Sequence, residues 1–352
     1  MKQSSHRTIN LFFRTLFSII AGISVLLCQQ AGLQVSTYFD SNVREVLTKA
    51  DQSLGFKLRG NLSHKIVNRN WLLEGSVLTQ TYLDAISPDQ SKLVVNSGIG
   101  LRYNLTPFIQ VAGLLDHFQK SFYEAGFSYR WTDYSLAGYA QASSKVTLST
   151  KYSRRNTNYA TLDSIKFLGE TVEIRIGWHP NSHWLLESLV AGKQITFHDY
   201  PAQDVVDDTA LIRLSASQED RACTVQIHGR YRHRMIMGTI VSYEAVTSNS
   251  VIGGYNLLSG RFYLSCRLVK DNMLHFIIQR VRKNYRRGDL SGVTAYRDPE
   301  ERIQNRTYLQ LEHKVNQSSI VYFQISHLAN ETLLNQNYYN KTMLELGIKY
   351  KL

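Results

Sequence analysis

The sequence predicts an all-β protein: a transmembrane antiparallel up-and-down β-barrel of about sixteen strands, with eighteen as the alternative count and about 14 to 18 as the range. Three observations carry that expectation. Apolar side chains recur at every second position along most of the chain, connections alternate between short and long, and the one uncharged apolar run lies at the N-terminus. The composition agrees. Of 352 residues 43% are hydrophobic and 19% charged, so the chain folds, and 21 tyrosines against 5 prolines suit pleated sheet.

Residues 1–31 read as a signal peptide. Lys2, Arg7 and Arg14 precede the uncharged run from Leu16 to Cys28, which is short for a membrane span, and Ala31 is the expected last residue of the leader. Residues 32–352 are then the barrel. Removing the leader takes away three basic and no acidic residues, so the formal charge falls from +12 to about +9. Nothing after it offers the twenty apolar residues that a spanning helix needs.

Period-two alternation sets each strand. Leu54, Phe56, Leu58, Gly60 and Leu62 alternate with Gly55, Lys57, Arg59 and Asn61. Trp71, Leu73, Gly75 and Val77 alternate with Leu72, Glu74, Ser76 and Leu78. Tyr129 and Trp131 are expected on the face opposite Arg130. Val172, Ile174, Ile176 and Trp178 alternate with Glu173, Arg175 and Gly177, and Phe262, Leu264, Cys266 and Leu268 with Tyr263, Ser265 and Arg267. Leu344, Leu346, Ile348, Tyr350 and Leu352 alternate with Glu345, Gly347, Lys349 and Lys351. Successive side chains of a strand point to opposite faces, so one row faces lipid and the other a polar lumen.

Short turns are expected at 104–107, 131–133, 179–182, 218–221, 270–272 and 316–319, where Asn, Asp, Ser and Pro collect. Longer polar segments are expected at 154–168, 198–208, 233–258, 285–304 and 330–341. Treating 233–258 as one loop yields sixteen strands, and strands at 241–245 and 251–257 would yield eighteen. Short turns belong on the periplasmic side, long loops outside. Trp71, Trp131, Trp178 and Trp184 fall near strand ends, where aromatic girdles sit.

The repeated hairpin pattern of Trp178–Tyr200, "WHPNSHWLLESLVAGKQITFHDY", and of Leu214–Arg234, "LSASQEDRACTVQIHGRYRHR", with the terminal "LELGIKYKL", resembles bacterial outer-membrane β-barrel proteins. Within them it is similar to β-barrel porin groups, some of which accompany surface-polysaccharide export. The resemblance implies localisation in the bacterial outer membrane. It implies outer-membrane lipid, lipopolysaccharide and the barrel-assembly machinery as partners, with small solutes or a surface polysaccharide as cargo.

The expected function is a porin-like channel for passive diffusion of small hydrophilic solutes, anions among them. A non-enzymatic barrel serving polysaccharide export is the alternative, and an outer-membrane hydrolase is third. Lys57, Arg59, Arg130, Arg175, Arg213, Arg267 and Lys349 are the expected lumen cations. Arg230, Arg232, Arg280, Arg282, Arg286 and Arg287 are the expected basic rim, suited to an anion-attracting vestibule or to lipopolysaccharide phosphates. His198, Asp199, Asp204, Asp207 and Asp208 read as solvated loop groups rather than a calcium site. His228, His275, His313 and His327 are scattered and compose no nucleophile–base–acid set by spacing. No cofactor, metal, catalytic residue or nucleic-acid partner is expected, and Cys223 and Cys266 are expected to be unpaired.

Overall fold

The computed structural model describes residues 30–41, 52–68, 70–85, 91–122, 128–159, 166–206, 210–250, 254–285, 305–330 and 339–351. They build sixteen antiparallel strands. The first eight are β1 (Gln30–Asp40), β2 (Ser53–Val67), β3 (Trp71–Asp84), β4 (Lys92–Thr106), β5 (Ile109–Phe122), β6 (Tyr129–Gln141), β7 (Val146–Tyr159) and β8 (Lys166–Trp178). The second eight are β9 (Trp184–Val206), β10 (Ala210–Arg232), β11 (Met235–Ser248), β12 (Tyr255–Val269), β13 (Asn272–Tyr285), β14 (Asn305–Lys314), β15 (Ser319–Asn330) and β16 (Tyr339–Lys351). Each strand pairs with its neighbours in sequence, and β1 closes the barrel on β16, from Gly32↔Lys351 to Asp40↔Met343.

Directly paired residues share a face, so the registers propagate one parity around the wall. One face carries Val35, Phe56, Ile99, Leu136, Ile174, Ile227, Leu311 and Leu346, all substantially exposed; Leu136 is 68% exposed. The opposite face carries Lys57, Glu173, Glu187, Glu312 and Glu345. An exposed apolar outer surface around a polar interior is the pattern a lipid-spanning barrel requires, since closure leaves no unpaired strand edge in hydrocarbon.

Short turns join strands at one end. Thr106 Oγ1 accepts from the amides of Phe108 (3.2 Å) and Ile109 (3.0 Å). Asn181 Oδ1 accepts from His183 and Trp184 at 2.9 and 3.1 Å, and Asn316 Oδ1 from Ser318 and Ser319 at 2.9 and 2.8 Å. These side chains replace backbone acceptors in tight reversals. Trp71, Trp178, Trp184, Tyr231 and Tyr350 face outward near that end, with Trp184 and Tyr231 rings 5.0 Å apart. The short turns thus gather at one end of the barrel.

Several expectations are corrected. Residues 131–133 and 218–221 are not turns but lie inside β6 and β10. The segment 233–258 is not one loop: 233–234 is a tight turn, β11 follows, and β12 begins at Tyr255. Residues 154–159 and 198–206 are strand, since β9 and β10 continue past their pairing with β8 at His198 and with β11 at Asp220, forming a projecting hairpin. Trp131 faces inward. Its parity is set by Tyr134 and Leu136, which take the outward face three and five residues further along β6, so Tyr129, Trp131 and Asp133 share the inner row.

Ile174 is 50% exposed on the outer face near mid-strand. Ile174→Arg is expected to lower stability by about 2 to 4 kcal/mol, read by denaturant unfolding after refolding into phospholipid vesicles; unchanged stability would show that this face does not meet lipid. Cys223 and Cys266 are both free. Cys223 opposes Ala245 and Cys266 opposes Met235, so about 30 Å of β11 separates their levels. Both are expected to take up alkylating reagent without reductant, and a mass showing them bridged would overturn this strand order.

Candidate functional site

The candidate site is the inner wall. A closed barrel of sixteen strands is too wide for the side chains of its wall to fill, so the described inner side chains border its interior without packing across it. What that space can select depends on which charges face it and how they are held.

The most closely bonded group sits at the closure. Glu345 on β16 is 2% exposed. Lys57 donates to both of its carboxylate oxygens at 3.2 Å, Ser36 donates at 2.8 Å and Gln34 at 3.4 Å, and the Tyr322 hydroxyl donates a further short hydrogen bond. The sequence folds this way locally because two inward glycines leave room. A Cβ on Gly347 would stand 2.6 Å from the Val35 carbonyl and 2.7 Å from the Tyr322 hydroxyl, and one on Gly55 would stand 2.5 Å from the Tyr38 hydroxyl. Tyrosine rings therefore lie over glycine, and their hydroxyls reach Glu345 and, at 3.4 Å, Asp84.

Other acids are also held. Asp133 accepts from Arg155 Nε (3.1 Å) and Nη2 (3.0 Å), and that guanidinium lies 4.3 Å above the Trp131 ring, which stacks on Phe118 at 5.5 Å. Arg175 pairs with Glu187 at 3.3 Å, and Lys349 pairs with Glu312 at 2.6 Å. Glu244 accepts from Thr224 and Tyr255, each at 3.1 Å.

Glu312 also approaches His275 Nε2 at 3.6 Å, while His275 Nδ1 lies 2.9 Å from Ser265 Oγ. The three residues stand on β12, β13 and β14. The order of side chains is that of a nucleophile, base and acid, a grouping that spacing alone had not revealed, because cross-strand register and not sequence separation brings them together. The backbone around Ser265 is paired with β11 and β13 on both sides, so among the described residues these strands offer no pair of free amides to stabilise an oxyanion. The carboxylate is engaged by Lys349 at the shorter distance.

Of the expected lumen cations, the registers put Lys57, Arg59, Arg175, Arg267 and Lys349 in the inner row. Arg130 is a correction: it lies on the outer face of β6, one residue out of phase with Asp133. Arg213 is another, since it pairs with Gln203 on the hairpin beyond the wall. The expected basic rim is divided. Arg280 and Arg282 lie on the outer face of β13 toward its long connection, whereas Arg230 and Arg232 lie on the inner face of β10 at the short-turn end. Arg286 and Arg287 lie outside the described residues, as do Asp207, Asp208 and the side chains of Asp199 and Asp204. His228 and His275 face inward, His313 and His327 outward. Sequence reasoning missed the inner-row cations Arg102, Arg261, Arg306 and Lys151, although alternation marks them: Ile99, Leu101, Tyr103 and Leu105, for example, alternate with Gly100, Arg102 and Asn104.

Glu345→Gln is expected to destabilise the barrel by about 3 kcal/mol, because Lys57 would remain buried without its counter-charge. Unfolding of this variant, of Lys57→Met and of the pair checks it. The double variant should recover part of the loss, and purely additive losses would show that the two groups are not coupled.

No protein-family model matches the chain, and no curated protein matches it. Solved structures with a similar course of chain include the outer-membrane OmpT of Vibrio cholerae, with TM-score 0.48, 11% identity and 92% of this chain against 97% of that one. A bacterial polysaccharide outer membrane secretin gives TM-score 0.47, 10% identity, and 92% and 98% coverage. The P. putida toluene transporter TodX gives TM-score 0.39, 8% identity, and 92% and 90% coverage.

Proposed function

We propose that this chain is a bacterial outer-membrane channel for passive diffusion of small hydrophilic solutes, with a preference for anions. The observation that carries the reading is the inner wall itself: a closed sixteen-strand barrel whose lumen-facing cations outnumber its acids, and whose principal acids are already engaged by cations or hydrogen bonds. Charges in a narrow aqueous passage are screened less than charges in bulk, so an unbalanced cationic wall enriches anions within it. Outer-membrane lipid and lipopolysaccharide surround the apolar face in this reading, the assembly machinery inserts it, and residues 1–31 direct export.

The same reading makes the protein non-enzymatic. Ser265, His275 and Glu312 then serve as a hydrogen-bonded brace between three strands, and a fluorophosphonate probe is expected to leave Ser265 unlabelled; stoichiometric labelling lost in His275→Ala would support a hydrolase instead.

Planar bilayers test the channel directly. Reconstituted protein is expected to give discrete conductance steps and, across a KCl gradient, a reversal potential of the sign set by chloride. Cation selectivity would defeat the anion preference. Absence of any conductance would defeat the channel and favour a closed barrel serving export of a surface polysaccharide.

A further inference from the structure

The cations of the inner wall are not evenly distributed along the passage. Strands β4, β10, β12, β14 and β16 all run toward the short-turn end, and near that end they carry Arg102, Arg230 with Arg232, Arg267, Lys314 and Lys351 in the inner row. All but Arg230 are exposed. None has an ion-pair partner among the described residues. Of the acids at this end, Glu74 is engaged by Lys65 at 3.3 Å, Glu187 by Arg175 and Glu312 by Lys349, which leaves the exposed Asp271 of the β12–β13 turn, next to Lys270, against the six cations. At the opposite end the described inner row mixes signs, with Asp40, Asp84 and Asp220 beside Lys92, Lys120 and Lys341, and Lys341 pairs with Asp40 at 3.6 Å.

We propose that the short-turn mouth is a binding site for multivalent oxyanions, bearing phosphate or carboxylate groups, that enter from the periplasmic side. The inference rests on the channel reading for its role in permeation, but the site itself requires only the barrel. Several uncompensated cations spread around one mouth add their potentials at its centre, where a single polyanion meets them together and displaces several small counter-ions. Five of the six are exposed, so little desolvation opposes binding. Because the other mouth is of mixed sign, the fixed charge is one-sided. Anions driven inward from the cationic mouth supply the passage from an enriched pool, whereas anions driven toward it leave a depleted zone behind them. The conductance therefore rectifies, and block by a polyanion depends on the side of addition.

The test uses inorganic tripolyphosphate and the triple variant R102Q/R232Q/R267Q, with R280Q/R282Q, on the outer face at the far end, as control. In bilayers, tripolyphosphate is expected to block at least tenfold more strongly from the short-turn side than from the other. The triple variant should lose most of that difference and much of the rectification, the control should keep both, and R102K/R232K/R267K should retain them. Titration of the detergent-folded barrel should show binding that weakens steeply with salt and falls about tenfold in the triple variant. Equal block from both sides together with unchanged binding by the triple variant would overturn the proposal. A barrel that does not conduct but binds tripolyphosphate through these arginines would sustain the site while defeating the channel. Should the triple variant not fold, the single substitutions give the same comparison, each with a partial loss.

Discussion

Everything in this structure depends on the pairing of β1 with β16. A bilayer core offers no water to an unpaired amide or carbonyl, and each such group left open there would cost several kcal/mol. A sheet in lipid can therefore have no edges, and nine residue pairs from Gly32↔Lys351 to Asp40↔Met343 remove the last two. The strongest polar cluster of the wall lies at this seam. Glu345, on the last strand, gathers Ser36 and Gln34 from the first and Lys57 from the second, so the two ends of the chain are joined by side chains as well as by the ladder.

Closure also divides the side chains between two solvents. Every strand must keep one parity through its length, because a one-residue slip would exchange its apolar and charged rows. This is why Arg130 and Trp131 stand where they do. Tyr134 and Leu136 must reach lipid from the middle of β6, and the parity they impose turns Trp131 inward, where it finds Phe118 and the Arg155 guanidinium. Near the membrane boundary the demand relaxes, and an arginine on the outer face is tolerated because its charge can reach water or lipid phosphate.

The interior follows a different economy from a soluble core. Its breadth prevents wall from packing on wall, so polar side chains are fixed locally by neighbours one or two strands away. The hydroxyl ends of Tyr322 and Tyr38 occupy the space that Gly347 and Gly55 of the next strand leave open, and there hold Glu345 and Asp84. Most inward acids end up engaged, Asp116 excepted, and a group of arginines and lysines near the short turns does not, which leaves the fixed charge of the wall uneven along its length.

From the sequence alone came the class of fold, a count of sixteen or eighteen strands and the facing of the most regular ones; the reading of 233–258 as a loop that favoured sixteen was wrong, offset by turns expected at 131–133 and 218–221 that are strand. Alternation such as Val172, Ile174 and Ile176 against Glu173 and Arg175 is a local property that needs no partner to be read. It also carried the turn chemistry of Asn181 and Asn316, since an Asx residue bonds amides two and three positions on. Only the tertiary structure decided where strands start and stop in less regular stretches: 233–258 holds a whole strand, and β9 and β10 extend into a hairpin that puts Arg213 beyond the wall. It alone decided which polar groups meet, because Ser265 and His275, Lys349 and Glu312, or Lys57 and Glu345 are brought together by register and by closure of the barrel. Those relations are set between strands, and hydrogen-bond ladders are indifferent to the side chains they align.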